Sequence, residues 1–296
     1  MTGRDRWTLA VHGGAGVNPA RDYAEVEAHL LGLVKAGAAR LGAGAKALDT
    51  VQWAVEALEA SGLYVAGRGS APNREGVVEF DAAIMDGFGP RAGAVAAIQD
   101  IRSPVAAARA VMENTPHVLL AGDGATRFAR EMGLAAIGED GGFFRMPVGV
   151  EQADIDKDGD TLGHGTVGAV ALDRAGRLAA ATSTGGLFGK RPGRVGDTPI
   201  PGAGTWADGD IAISCTGVGE HFVLAGGAGD MAARMRYAGV SARAAADAML
   251  ASVARLGGDG GLIAVGADGV PIFAWNSGGL KRAAAGAGLQ AMVAIT

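Results

Sequence analysis

Apolar residues along the 296-residue chain recur at two spacings, one helical and one strand-like. Repeats of three and four residues predict a helix over Tyr23–Leu41, where Val26, Leu30 and Val34 would share a face. A second helix is predicted over Ala45–Ala60. Further helices are expected from Ser103–Pro104 onward and over Ala125–Met132, Gly219–Tyr237 and Ala242–Leu256.

Short apolar runs bounded by glycine or polar turns predict strands. They cover Arg6–His12, Val77–Met85, Ala92–Ile98, Val167–Leu172, Leu178–Thr184, Ile211–Thr216, Gly261–Val265, Val270–Trp275 and Leu289–Ile295. Strands and helices occur on both sides of an acidic stretch, Glu151–Asp160, which is typical of a solvated linker. The pattern predicts an α+β protein with two sheets covered by helices, a four-layer αββα sandwich.

Composition narrows the class of protein. Glycine makes up 51 of 296 residues without a collagen repeat, which indicates many tight turns and close backbone approaches. A net charge of −5 gives no support for a nucleic-acid partner, and no apolar run is long enough to suggest a membrane. A single cysteine, Cys215, excludes an internal disulfide and a multi-cysteine metal site. Without a secretion signal at the N-terminus, the expected location is the cytoplasm.

The candidate chemistry starts where the acidic stretch ends. Gly165 and Thr166 precede an apolar strand there. A threonine hydroxyl is a weak nucleophile, but an N-terminal threonine can use its own α-amine as the base. Cleavage between Gly165 and Thr166 would create such a residue. Taken alone, a glycine–threonine pair opening a strand is most often structural.

Charged and glycine-rich segments follow downstream. Arg194 and Asp197 lie three residues apart in a predicted loop, and they suit the α-carboxylate and α-ammonium of an amino acid. A surface salt bridge is the alternative interpretation. The segment Thr216–Glu220 joins a strand to a helix, so that its amides can face an anion.

Six segments occur in this order: HGGAG, FDAAIMDG, GTVGAVALD, AAATSTGG, PGRVGDTPIPGAGTWA and SCTGVGEHF. Together they resemble the isoaspartyl peptidase/plant-type L-asparaginase family of N-terminal-nucleophile hydrolases, from His12 to about Arg282. The resemblance implies the αββα sandwich of that class and self-cleavage of one domain into an α half, 1–165, and a β half, 166–296. It also implies an (αβ)2 dimer of cleaved precursors that hydrolyses β-aspartyl dipeptides and L-asparagine.

The resemblance also assigns expected roles. Thr166 matches the nucleophile, Thr184 matches its hydrogen-bond partner, and Thr216 with Gly217 matches the oxyanion site. The segments that match the substrate-binding residues are Arg194, Val195, Gly196 and Asp197, together with Thr216, Gly217, Val218 and Gly219. No organic cofactor is implied. A sodium ion is implied in a loop of backbone carbonyls that matches Leu58, Glu59, Ser61, Tyr64 and Ala66.

Three departures from the family bear on substrate preference. Val65 stands where the family commonly has an asparagine, Leu224 where it often has an arginine, and Asn276–Leu280 where it often has a glutamate. Three other residues of interest have structural interpretations: His12 after a strand, and Asp81 and Asp86 as acids bonded to backbone amides. We expect Cys215 to lie in the core.

Three alternative functions remain open from the sequence. A glycosylasparaginase of the same fold would need a larger pocket, and a lysosomal or secreted form would carry a signal and cysteines. An endopeptidase of this fold would need a long insertion near the linker. A non-catalytic metabolite binder would use the glycine loops, although none of them matches a phosphate-binding motif.

Overall fold

The computed structural model describes residues 6–151 and 165–296 and contains two β-sheets and their helices. The strands are β1 Thr8–Ala15, β2 Phe80–Asp86, β3 Arg91–Ile98, β4 Leu119–Ala121, β5 Thr166–Leu172, β6 Leu178–Thr184, β7 Thr205–Ala207, β8 Ile211–Gly217, β9 Gly260–Gly266, β10 Pro271–Trp275, β11 Leu280–Gly286 and β12 Leu289–Ala294. The helices are α1 Ala24–Gly42, α2 Ala47–Ser61, α3 Pro104–Asn114, α4 Gly122–Glu131, α5 Gly219–Ala225, α6 Gly227–Ala238 and α7 Ala242–Arg255. The prediction of two sheets with helices is confirmed.

Each sheet is built mainly from antiparallel neighbours. The larger sheet has the order β12-β11-β1-β5-β6-β2-β3-β4, and only β3 and β4 run parallel in it. The smaller sheet has the order β10-β9-β8-β7. Helices α1 to α4 pack on the larger sheet, whereas α6 and α7 pack on the smaller one. Strand β5 contacts β8, and β1 contacts β9, so the two sheets also pack against each other.

Side-chain alternation along β5 sorts its residues between two cores. Val167 and Ala169 join the core beneath α1 to α4, while Val170 and Leu172 join the core between the sheets. Successive side chains of a strand point to opposite faces. Thr166 therefore shares the face of Val170 and Leu172, toward the smaller sheet.

The same alternation applies to β6 and β8. Ala180 of β6 lies in the core between the sheets, so Thr182 and Thr184 face that space as well. In β8, Ile213 and Cys215 pack under α6 and α7, which leaves Ser214 and Thr216 facing the larger sheet. The pattern thus brings a group of hydroxyls together between the two sheets.

The predicted elements match the structure except at four places. The single helix predicted over Gly219–Tyr237 is wrong, because the chain forms α5 and α6 with a break at Gly226, whose φ is +69°. This left-handed conformation ends α5, as glycine commonly ends a helix. Strands β4, β7 and β11 were not predicted. Two of them have only three residues. In β11, Leu280 is followed by the charged Lys281 and Arg282 and then by alanine, a weak strand former.

Two further expectations concern a membrane-spanning segment and the acidic linker. Within residues 6–151 and 165–296, no helix is long and apolar enough to cross a membrane. The predicted acidic linker lies outside the described residues except for Glu151.

Candidate active site

The peptide bond between Gly165 and Thr166 lies at the start of β5 and is held by β6. Thr166 is 4% exposed and pairs with Thr184 across the two strands. The Thr184 Oγ1 hydroxyl donates to the Gly165 carbonyl oxygen at 3.1 Å and accepts from the Gly186 amide at 3.0 Å. The hydroxyl therefore polarises the carbonyl group that precedes Thr166.

Close neighbours on two sides confine the backbone at Gly165. A Cβ atom added to Gly165 would lie 2.7 Å from Val65 Cγ2. From the other side, a Cβ on Gly14 would lie 3.1 Å from the Gly165 Cα and 3.3 Å from the Thr166 nitrogen. The bond is thus confined between Val65 and Gly14, with Val65 itself 5% exposed.

A small pocket opens beside Thr166, and its empty space, part of it open to solvent, is about 220 Å³. Its lining residues are Thr166, Thr184, Gly186, Leu187, Arg194, Gly196, Asp197, Thr198, Gly217 and Gly219. Seven of these were singled out from the sequence. Gly186, Leu187 and Thr198 were missed, although each lies within three residues of a predicted site residue.

Four of the predicted residues surround the pocket without lining it. The Gly165 carbonyl is bound by Thr184, as described above, and Val195 is 36% exposed. Val218 is half-buried and precedes α5. Thr216 Oγ1 accepts from the Ala15 amide at 3.2 Å, which ties β8 to β1.

An arginine–carboxylate pair forms one side of the pocket. Arg194 donates from Nε to Glu220 Oε1 at 2.8 Å and from Nη2 to Glu220 Oε2 at 2.7 Å. Burial disfavours the charged guanidinium, but the hydrogen bonds and charge of Glu220 outweigh burial and raise the pKa of Arg194. The same hydrogen bonds hold the pKa of Glu220 below its ordinary value. Both groups are therefore charged.

Asp197 lies deep in the same pocket and is 3% exposed. Burial raises the pKa of its carboxyl group to about 7. Two buried oxygens, Asp197 Oδ2 and Thr198 Oγ1, have no hydrogen-bond partner within the described part of the chain. Buried polar atoms are normally paired, so these two mark a place where a ligand's donors can bind.

A chain of buried polar side chains runs from β1 to the pocket. His12 Nε2 contacts Ser214 Oγ at 2.9 Å, Ser214 Oγ contacts Thr182 Oγ1 at 2.8 Å, and Thr205 Oγ1 donates to Thr182 Oγ1 at 2.7 Å. Thr205 Oγ1 also lies 3.1 Å from the carbonyl oxygen of Thr198, a pocket residue. Burial lowers the pKa of His12 to about 3, so His12 is neutral near pH 7. It lies outside the pocket lining, in keeping with its expected structural role.

The other residues with structural interpretations behave as expected. Asp81 Oδ1 accepts from the Ala97 amide at 2.8 Å, and Asp86 Oδ1 accepts from the Phe88 amide at 3.0 Å. Cys215 is fully buried in the core under α6 and α7.

Carbonyl oxygens converge in the segment that follows α2. A Cβ on Gly69 would touch the Tyr64 oxygen and would lie 3.1 Å from that of Gly62, and one on Gly67 would touch the Glu59 oxygen. The Glu59 carboxylate points elsewhere and accepts from Ser103, Val105 and Ser183. Residues 6–151 and 165–296 contain no cluster of three or more histidine, cysteine, aspartate or glutamate side chains suited to a metal.

Comparison with known proteins shows the family of the chain. The family model described as asparaginase matches residues 5–295, and the chain belongs to this family. It is 44% identical to an isoaspartyl peptidase of Salmonella typhimurium, over 93% of this chain and 94% of that protein. It is 42% identical both to the isoaspartyl peptidase of Escherichia coli, over 93% and 91% of the two chains, and to a human isoaspartyl peptidase/L-asparaginase, over 94% and 92%. The family resemblance read from the sequence is confirmed.

The buried polar chain leads to a test of packing. A Cβ added at Gly168 would touch both Ser214 Oγ and His12 Nε2, so Gly168→Ala should lower the free energy of unfolding by about 1–3 kcal/mol. The matched control is Gly32→Ala, because Gly32 is exposed in α1 with open space around its Cα. That change should be neutral or stabilising by up to about 1 kcal/mol. Denaturant unfolding of both variants measures the difference, and equal midpoints would contradict the packing described here.

Proposed function

We propose that the protein is an amide hydrolase that cleaves itself between Gly165 and Thr166 and then hydrolyses β-aspartyl dipeptides and L-asparagine. Family membership and relatives named isoaspartyl peptidase support this class of reaction. The observation that carries the proposal is the position of Thr166. It opens a buried strand, its preceding carbonyl is hydrogen-bonded to Thr184, and it lines a pocket that also contains Arg194 and Asp197.

Self-cleavage begins with attack by Thr166 Oγ on the Gly165 carbonyl carbon. Thr184 Oγ1, at 3.1 Å from that carbonyl oxygen, stabilises the negative charge that develops on it. The C–N bond then breaks, the Thr166 nitrogen takes the proton from the hydroxyl, and Gly165 is joined to Thr166 as an ester. Water hydrolyses the ester and frees both the Gly165 carboxylate and the Thr166 α-amine.

Substrate hydrolysis repeats this chemistry with the freed amine as the base. The amine accepts the Thr166 hydroxyl proton as Oγ attacks the side-chain amide carbonyl of the substrate. The Thr216 hydroxyl accepts from Ala15, so its own hydrogen remains available to the oxyanion beside Gly217. The amine product leaves with a proton, and water then hydrolyses the β-aspartyl ester.

The charged residues of the pocket match the two ends of an amino acid. Arg194 binds the α-carboxylate, and Asp197 binds the α-ammonium through the oxygen that has no protein partner. Val195, Gly196, Val218 and Gly219 shape the pocket through their backbone. The relatives named isoaspartyl peptidase favour a β-aspartyl substrate over the glycosylated asparagine of the alternative interpretation.

Three wider expectations belong to the same proposal. The chain forms a single domain, and cleavage breaks the covalent link between its halves, 1–165 and 166–296, without separating them in space. Its layers correspond to the αββα sandwich of N-terminal-nucleophile hydrolases. Two cleaved chains assemble as (αβ)2.

The carbonyls of Glu59, Gly62 and Tyr64 fit a hard cation such as sodium, because oxygen ligands suit such ions and side chains at Gly67 and Gly69 would fill the space. The other residues of the predicted sodium loop, Leu58, Ser61 and Ala66, belong to the same segment of the chain.

Removal of the proposed nucleophile tests self-cleavage. Thr166→Ala should remain a single 296-residue polypeptide on denaturing electrophoresis and hydrolyse neither substrate, since no hydroxyl can attack Gly165. The wild type should give two fragments, 1–165 and 166–296. Thr115→Ala removes a half-buried threonine at the end of α3, outside the pocket lining, and should mature normally. Activity in an uncleaved Thr166→Ala protein would refute the proposal.

The contact between Val65 and Gly165 gives a second test. Gly165→Ala should slow self-cleavage about tenfold or more, because a methyl group 2.7 Å from Val65 Cγ2 pushes the carbonyl away from Thr184. Val65→Gly removes both Val65 side-chain carbons that this methyl group would meet, Cγ2 at 2.7 Å and Cβ at 2.8 Å, so the double variant should recover part of the rate. Val65→Gly alone serves as the control and should mature. A time course of fragment formation measures all three, and an unchanged rate in Gly165→Ala would disprove the steric account.

The raised pKa of Asp197 predicts a pH dependence of substrate choice. As the pH falls through about 7, Asp197 takes up a proton and loses its attraction for an α-ammonium group. The ratio of kcat/KM for L-asparagine to that for succinamate, which lacks the amine, should therefore fall by up to about tenfold per pH unit. The Thr166 amine affects both substrates equally and cancels in the ratio. A ratio independent of pH between 5 and 9 would be the contrary result.

A further inference from the structure

One side chain outside the pocket lining, Glu220, holds the guanidinium of Arg194. The two hydrogen bonds, at 2.8 and 2.7 Å, occupy the edge of the guanidinium formed by Nε and Nη2. The remaining nitrogen, Nη1, lies over Gly196, where an added Cβ would be 3.0 Å from it. Gly196 lines the pocket, so the donors of Nη1 lie at the pocket while Glu220 binds the opposite edge.

The segment that carries Glu220 also contacts the second charged group of the site. A Cβ added to Gly219 would lie 2.9 Å from Asp197 Oδ1 and 2.8 Å from the Asp197 nitrogen. Gly219 and Glu220 are the first two residues of α5. One turn of this helix therefore packs against Asp197 through its backbone and fixes Arg194 through a side chain.

Glu220 could affect a bound carboxylate in two ways, by repelling its charge or by orienting Arg194, and the exposure of Glu220 and Arg194 decides between them. Its negative charge would repel the carboxylate, but 49% of the Glu220 side chain is exposed, so solvent screens that charge. Only 15% of the Arg194 side chain is exposed, and its position in the pocket depends on the partner that holds it. An arginine side chain with free rotation loses considerable entropy when it is fixed. The orientation of Arg194 by Glu220 therefore outweighs the repulsion between Glu220 and the bound carboxylate.

We propose that Glu220 is a positioning residue for substrate recognition: it holds Arg194 so that the free edge of the guanidinium meets the α-carboxylate of the substrate. This inference rests on the proposed function, in which Arg194 binds that carboxylate. It assigns Glu220 an effect on binding and none on the bond-breaking steps. Within the described part of the chain the Glu220 carboxylate bonds to Arg194 and not to Thr166 or the Gly165 carbonyl, so self-cleavage is independent of it.

The test uses Glu220→Gln in the full-length protein after maturation. Glutamine keeps the size of the side chain but replaces one acceptor by an amide NH2 group, which cannot accept from Arg194. The KM for L-asparagine should rise about tenfold, since hydrogen bonds between charged groups are worth about that factor or more, while kcat stays within about twofold. For 3-aminopropanamide, which lacks the α-carboxylate, kcat/KM should not change.

A matched control removes the same charge elsewhere. Asp247→Asn breaks an exposed arginine–carboxylate pair with Arg243 on α7 and should leave both kinetic constants unchanged. The inference is overturned if Glu220→Gln leaves the KM for asparagine unchanged or lowers it. It is also overturned if both substrates lose activity equally or if the variant fails to mature, because Glu220 would then be merely structural. A wild type that neither matures nor hydrolyses asparagine would instead refute the proposed function.

Discussion

The antiparallel pairing of β5 with β6 is the constraint on which the candidate site depends. Thr166 pairs with Thr184, and because side chains alternate along both strands, the hydroxyls of Thr166, Thr182 and Thr184 all face the space between the sheets. A shift of β6 by one residue against β5 would send Thr182 and Thr184 into the apolar core beneath the helices and away from Thr166. The apolar residues between them, such as Val167 and Ala181, fix the register by filling that core.

Polar groups buried between two sheets require partners, and the side chains from His12 through Ser214 and Thr182 to Thr205 supply them to one another. Burial keeps this histidine neutral, because a charge there would be costly. Asp197 is the contrast, since one oxygen of its buried carboxyl has no partner and its pKa is raised. Such exceptions to good pairing are expected where a protein binds or reacts.

The candidate site has an apolar side and a charged side. Val65, at the position where the resemblance leads us to expect an asparagine, packs against Gly165 and joins a small apolar cluster with Ala71 and Phe188. The Val65 side chain beside Gly165 can neither donate nor accept a hydrogen bond. The charged side contains the guanidinium of Arg194 and the carboxyl of Asp197, which both line the pocket. In the proposed function, self-cleavage and substrate binding therefore depend on different sides of the site.

The sequence by itself determined most of the strands and helices, the family, and most of the pocket, because these depend on local periodicity and on motifs whose residues are close in the chain. Thr198 and Gly186 lie within two of those motifs, but nothing in the sequence distinguished them from their neighbours as pocket residues. The role of Glu220 in holding Arg194, and the packing of Val65 on Gly165, were decided by tertiary structure alone. These contacts join residues 26 and 100 positions apart, and no local pattern records which side chains the folding of two sheets brings together.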